Sequence, residues 1–391
     1  MSKQDQIKQV LERTVVEVIN KENLYKKLTG KKPLRVKLGI DPTSANIHLG
    51  RAVVLWKLRE FQDLGHKVVF IIGDFTGQIG DTSDKDAERP MLAEEIIKKN
   101  LKGYLDQAFK ILDKKKTEFH YNSKWLKKLG FAEIGHLANM FGLHEFSARE
   151  NIAKRLKAGK RVSLRELLYP LMQGYDSVAI KADVELGGSD QKFNLLAGRP
   201  IQEGYKQEAQ DVLMVELLEG TDGRKMSSSW GNTINIFDKP EDMFGKLMTI
   251  RDDLLEKYFF FTTRLSESEI KDVIKNNKNP RDQKLILAET VVTLYHDKKL
   301  AEAAKEKFIS QFSNKELPDD IKEVKVKPGK YLLVDLLVDV KLADSKSEAK
   351  RLLQQNGVKI NQSLPKSDSL EIKQKNDLII QVGKRKFIKI K

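Results

Sequence analysis

Apolar positions along this chain follow two rhythms. Residues 34–40 (LRVKLGI) and 67–75 (KVVFIIGDF) are short, nearly unbroken apolar runs rich in β-branched residues, the pattern of strands buried on both faces. Between them, Val53, Val54, Trp56 and Leu58 fall among the apolar positions of a helix predicted over 48–64, after a turn at 41–44 (DPTS). Strand, helix and strand in sequence make a βαβ unit, with parallel strands and a right-handed crossover. A helix over 90–112 and a short strand at 118–121 follow. Residues 124–165 are mostly helical and amphipathic, an insertion between two halves of the sheet. Further strands at 184–186 and 212–218 flank a helix at 191–203. Residues 240–313 read as nearly all helix. Two prolines and dense charge make 314–329 (NKELPDDIKEVKVKPG) a linker. Beyond it come short helices and then strands at 377–382 and 387–390. The N-terminal 28 residues are charged and have helical periodicity. No internal repeat or low-complexity tract interrupts the pattern.

Length and composition narrow the class. The chain has 391 residues, 40% apolar and 32% charged, enough for two or three domains with a sizeable core. It has no cysteine, which removes disulfides, thiolate zinc sites and cysteine nucleophiles and fits a reducing, cytoplasmic setting. No signal peptide or membrane-length apolar stretch is evident, so no membrane partner is expected. The formal charge of +15 suggests a polyanionic partner. Lysine-rich solubility or adaptation to heat would give the same total. The distribution favours the former: residues 330–391 hold 14 basic and 7 acidic residues, nearly half of the surplus.

Two peptides carry candidate chemistry. The first, 42–51 (PTSANIHLGR), puts His48 and Gly50 at a helix start, where free N–H groups favour an anion and a glycine admits a flat ligand. His48 can donate to a phosphate oxygen, as can Thr43 from the preceding turn. The second, 223–229 (GRKMSSS), offers the mobile charge of Lys225 and hydroxyl donors for a polyphosphate. Taken singly, the first reads as a plain helix start and the second as a polar surface turn. A third constellation is Tyr169, Gln173 and Asp176, one face of a helix, with Pro170 expected in its first turn. A phenol, an amide and a carboxylate on one face suit a polar pocket better than a solvated surface.

In this order the motifs resemble the class I aminoacyl-tRNA synthetases, whose signatures are HIGH and KMSKS, and among them the bacterial tyrosyl-tRNA synthetases. The resemblance runs nearly end to end, through 77–83 (GQIGDTS), 167–194 (LLYPLMQGYDSVAIKADVELGGSDQKFN) and 218–229 (LEGTDGRKMSSS). It implies a Rossmann-like catalytic domain over 1–235 with the helical insertion, a helical anticodon-binding domain over 236–313, the linker, and a basic RNA-binding domain over 330–391 like that of a small-subunit ribosomal protein. It implies ATP-dependent activation of L-tyrosine and transfer to tRNA(Tyr) by a homodimer. Mg²⁺ would travel on the nucleotide, without a tightly bound protein metal.

The resemblance also implies roles. Asp176 would accept from the phenolic hydroxyl, while Tyr169, Gln173 and Asp81 hold the ammonium group. Gln191 would meet the carboxylate region, and Gly188 and Asp190 the ribose hydroxyls. Asp41 would face the adenylate. His48, Gly50, Thr43, Lys225, Ser227 and Ser228 would surround the phosphates, with Lys85 and Arg89 reaching pyrophosphate. Lys346, Lys350 and Arg351, close to one face of a helix at 345–357, would meet RNA. Three positions depart from the family pattern. Arg51 stands where a second histidine is usual and would itself contact an ATP phosphate, and Ser228 stands where a second lysine is usual. Lys37 replaces a tyrosine and would line the tyrosine pocket. The charge missing at 228 would fall to Lys225, or be supplied by Arg224, Lys85 or Arg89. A tryptophanyl-type enzyme and a non-catalytic RNA-binding relative are the competing readings.

Overall fold

The structure is a computed structural model describing residues 2–81, 91–313, 321–361, 363–365, 367–372, 378–383 and 386–390. Two compact units emerge, Met1–Phe308 and Ile309–Lys391.

The first unit is built on a six-stranded sheet: β1 (Val15–Ile19), β2 (Arg35–Ile40), β3 (Lys67–Ile72), β4 (Thr117–Tyr121), β5 (Val184–Gly188) and β6 (Asp211–Val215). Its order is β1-β6-β5-β2-β3-β4, all parallel except the edge strand β1. The apolar runs of β3 and β6 are buried almost throughout because helices cover both faces. Strand order reverses between β2 and β5, the switch point where such sheets bind ligands at their carboxyl ends. The register shows why a crevice opens there. β2 follows β3 as far as Ile40↔Ile72, and β5 follows β6 as far as Gly188↔Val215. Yet β2 and β5 pair only at Val36↔Val184 and Lys37↔Glu185, and then part.

Four expectations about local structure need correction. The N-terminal segment is helix, strand, helix (Lys3–Glu12, β1, Lys21–Thr29), broken at Thr14 and Asn20, both in the left-handed region. The helix expected over 90–112 is two, Glu94–Leu101 and Tyr104–Ala108, separated at Gly103 with φ of 80°. Pro170 is interior to its helix, Leu164–Ile180, which starts at a capping box formed by Ser163 and Glu166. The expected linker is in part strand: Lys322–Val324 pairs in parallel with Lys386–Ile390. Residues 314–320 lie outside the described residues.

The second unit holds two helices, Leu333–Asp339 and Lys346–Gln354, with a four-stranded and a two-stranded sheet. Leu336, Leu337, Val358, Ile380 and Ile390 are in its core. Helix Lys346–Gln354 buries Ala349 and exposes Lys350 and Arg351. Lys346 pairs with Asp335 at 2.8 Å.

Candidate active site

Beyond the last shared rung of β2 and β5 lies a cavity of about 370 Å³. That rung is itself a buried ion pair. Lys37 and Glu185 face each other across the strands at 2.9 Å, essentially without exposure. The Lys37 ammonium uses its three donors on Glu185, the Gln173 carbonyl and Ser177 Oγ, the last two at 2.8 Å. Lys37, expected in the tyrosine pocket, is not among the residues lining this cavity. It sits under the floor and positions Gln173, whose side-chain amide also donates to Glu185 Oε1 at 3.0 Å. Ser177 and Gln210 complete the carboxylate's shell. Removing either charge would strand its partner in the core.

One wall is the start of helix Leu49–Asp63. His48 is its N-cap, and Nδ1 accepts from the Arg51 N–H at 3.3 Å. Burial, then the charges of Arg51 and Lys225, push the imidazole down to about 3. His48 is therefore neutral at pH 7, with Nδ1 committed as an acceptor and the proton on Nε2 available to donate. A side chain at Gly50 would press within 3.1 Å of the His48 ring and 3.5 Å of Met226 Cβ. Leu49 N donates to the Ile234 carbonyl, and Ile236 N to Ile47. The second signature peptide and the segment after it are thus packed directly on the first.

A second part of the lining is Lys225, Ser227 and Ser228, with Gly188 and Asp190 from the turn after β5. Lys225 Nζ donates to Asp190 Oδ2 at 2.7 Å. Asp190 in turn folds over Gly188, where a Cβ would meet its carboxylate at 2.5 Å.

The third side belongs to helix Leu164–Ile180. Tyr169 OH donates to Asp41 Oδ2 at 2.9 Å, and Thr76 Oγ1 donates to Asp41 Oδ1 at 2.7 Å. Asp81 accepts from Gln191 at 2.7 Å and from Asn194 at 3.3 Å. Tyr169, Gln173, Asp81, Gln191 and Thr43 all line the cavity. Asp176 does not: it is buried further along the helix, its carboxylate oxygens accepting from Trp125 Nε1 at 2.7 Å and Asn122 Nδ2 at 3.2 Å. Asn122 Nδ2 also donates to Thr76 Oγ1 at 2.9 Å, so a hydrogen-bonded chain runs from Asp41 to Asp176. Burial pushes Asp176 up to about 7, against the opposing effects of Lys37, Trp125 and Asn122. Lys85 and Arg89 lie outside the described residues.

Sequence reading missed Asn122, Trp125, Thr76, Glu185 and Asn194. The signal for Asn122 was available: it directly follows β4, at the carboxyl end of a parallel strand, where such sheets present functional side chains.

The family profile described as tRNA synthetases class I (W and Y) matches residues 29–313, and one described as a tyrosine–tRNA ligase SYY-like C-terminal domain matches 313–390. The tyrosine–tRNA ligase of Thermotoga maritima is 47% identical over 395 aligned residues, covering 100% of this chain and 98% of that one. The chain belongs to the tyrosine–tRNA ligase family. That of Shewanella oneidensis is 43% identical, with 100% and 99% covered. Among solved structures, a truncated mitochondrial tyrosyl-tRNA synthetase of Coccidioides posadasii matches with a TM-score of 0.64 at 22% identity, over 78% of this chain and 92% of that one. The enzyme of Archaeoglobus fulgidus, complexed with L-tyrosine, matches at 0.61 and 20%, over 78% and 100%. These last two speak for the fold.

Proposed function

We propose that this chain joins L-tyrosine to ATP as tyrosyl-adenylate and transfers the tyrosyl group to the 3′ end of tRNA(Tyr). The observation that carries the reading is the convergence of both signature peptides and helix Leu164–Ile180 on one cavity at the switch point. In the reaction, a tyrosine carboxylate oxygen attacks the α-phosphorus of ATP. The bond from that phosphorus to the bridging oxygen breaks, and pyrophosphate leaves with the electron pair. No protein nucleophile is needed, so catalysis comes from alignment and from cations beside the leaving group. Mg²⁺ enters as part of the MgATP substrate.

The residues divide this work by position. Tyr169, Gln173 and Asp81 would take the ammonium group, Gln191 the carboxylate region and Asp176 the phenolic hydroxyl. Asp190 and Gly188 meet the ribose, and His48 Nε2, Thr43, Ser227 and Lys225 the phosphates. Asp41 faces the adenylate, held in place by Tyr169 and Thr76. Charging is a cytoplasmic reaction in this reading. Helices in 240–308 would contact the anticodon arm, and Lys350 and Arg351 RNA phosphates.

ATP–pyrophosphate exchange with each amino acid tests the activation step. Exchange with tyrosine alone is expected; exchange with tryptophan instead, or none, defeats the reading. Ending the chain at Ser313 should leave tyrosine exchange intact and depress charging, with a shallower salt dependence. Strand Lys322–Val324 belongs to the tail's sheet, so a cut at 330 would leave an orphan strand. Unchanged charging and salt slope would show that the tail anchors no RNA.

We further propose a homodimer. Phe131, Leu143 and Leu164 stand 94%, 72% and 78% exposed around the helical insertion, and a protein partner surface accounts for such side chains. Sedimentation at micromolar concentration should give a dimer, and Leu164→Glu should shift it to monomer. A monomeric parent chain removes the proposal.

A further inference from the structure

We propose that Arg51 and Ser228 form a compensating pair: the cation absent from the loop wall at 228 is supplied by Arg51 from the helix wall, as a direct ligand of the leaving pyrophosphate. The proposal rests on the reading of this cavity as a tyrosine-activating site, and deepens it.

The basic side chains near the cavity are committed differently. Lys225 is paired with Asp190. Arg224 is paired with Asp222 and stacks on Trp230, its guanidinium carbon 4.8 Å from the ring centre. Among the described residues, the Arg51 side chain meets neutral hydroxyls: Ser44 Oγ and Tyr104 OH at 3.3 Å and Thr43 Oγ1 at 3.4 Å. No carboxylate among the described residues pairs with it. These contacts are long and undirected by charge, so they hold the guanidinium in place without neutralising it. Tyr104 is fully buried, which fixes one side of the arrangement.

Position supports the same use. Arg51 lies in the first turn of a 15-residue helix, at the positive end of its dipole. It lines the same cavity as His48, Lys225 and Ser228. A planar guanidinium can hold two phosphate oxygens at once in a fixed fork geometry. The chain would thereby carry on the helix start the cation that the loop lacks at 228.

Rescue across the cavity tests this. Arg51→Gln should lower kcat for tyrosine-dependent exchange about 100-fold while leaving tyrosine KM near the parent value. Ser228→Lys in the Arg51→Gln background should restore kcat about tenfold or more. Arg51→Lys, which keeps the charge, should fall between parent and Arg51→Gln. Tyrosine binding at parental affinity shows that each variant is folded. An Arg51→Gln enzyme within about threefold of the parent overturns the proposal, as does a double variant no faster than Arg51→Gln. Failure of the parent chain to exchange with tyrosine would instead strike at the underlying reading.

Discussion

Replacing Asp176 with alanine should bring tyrosine and phenylalanine to within about tenfold of each other in kcat/KM for ATP–pyrophosphate exchange, where tyrosyl-tRNA synthetases as a group separate them by about 10⁵. The physical reason is asymmetric. A phenol donates to a carboxylate already desolvated by the fold, and phenylalanine leaves that carboxylate one donor short in the core. Without the carboxylate, the penalty on phenylalanine disappears along with the reward for tyrosine. Asp176→Ala also strands the donors on Trp125 and Asn122, so Asp176→Asn, which keeps an acceptor, is the companion variant. An unchanged selectivity ratio in both would remove Asp176 from the role.

The same carboxyl sets a pH dependence. Its folded value of about 7 lies above the usual carboxylate range, chiefly through burial. The native state therefore holds this proton more tightly than the unfolded chain does. Its contribution to stability is greatest at low pH and falls as pH rises from about 4 to about 7. Tyrosine recognition runs the other way, because the ionised form is the acceptor. Both oxygens already accept a hydrogen bond, so an added proton takes up a lone pair that the phenol needs. kcat/KM for tyrosine, which reports the free enzyme, should fall below pH 7 by up to about tenfold per unit. Asp176→Asn should flatten that limb; a profile unchanged in the variant would mean another group controls it.

What the sequence made legible follows from how local each signal is. The strands β2 and β3 and the helix between them were readable because each announces itself within ten to twenty residues. The edge strand β1 was not. Val15–Ile19 is short and half-buried, and the breaks around it are Thr14 and Asn20 in a conformation usually marked by glycine. The helix bearing Tyr169, Gln173 and Asp176 is legible as a helix, but Pro170 points to a later start than the capping box at Ser163 provides. Lys37 shows the deeper limit. Its meaning depends on facing Glu185, a partner 148 positions away brought opposite by strand order and register. From sequence it looked like a pocket residue; in the fold it is the floor. Asn122 and Trp125 were invisible for the same reason, lying about fifty residues from the Asp176 they orient.

Lys225→Ala should reduce kcat for adenylate formation by about 10²–10³, the usual loss when one group stabilising developing charge is removed. Tyrosine KM should stay near its parent value. The structure adds a constraint that the motif alone did not show. Lys225 is paired with Asp190, the residue assigned to the ribose hydroxyls. In this reading the ribose competes for Asp190 as ATP enters, and Lys225 is released toward the phosphates at the moment they arrive. The two residues should then be coupled. Asp190→Asn should raise KM for ATP, and combining it with Lys225→Ala should give a loss different from the sum of the two. The alternative is that Lys225 serves only to orient Asp190. That would raise KM for ATP in Lys225→Ala with kcat preserved, because ground-state binding alone would have been removed. A kcat loss with unchanged ATP KM points to the transition state, which places the lysine on the leaving pyrophosphate as the bond breaks.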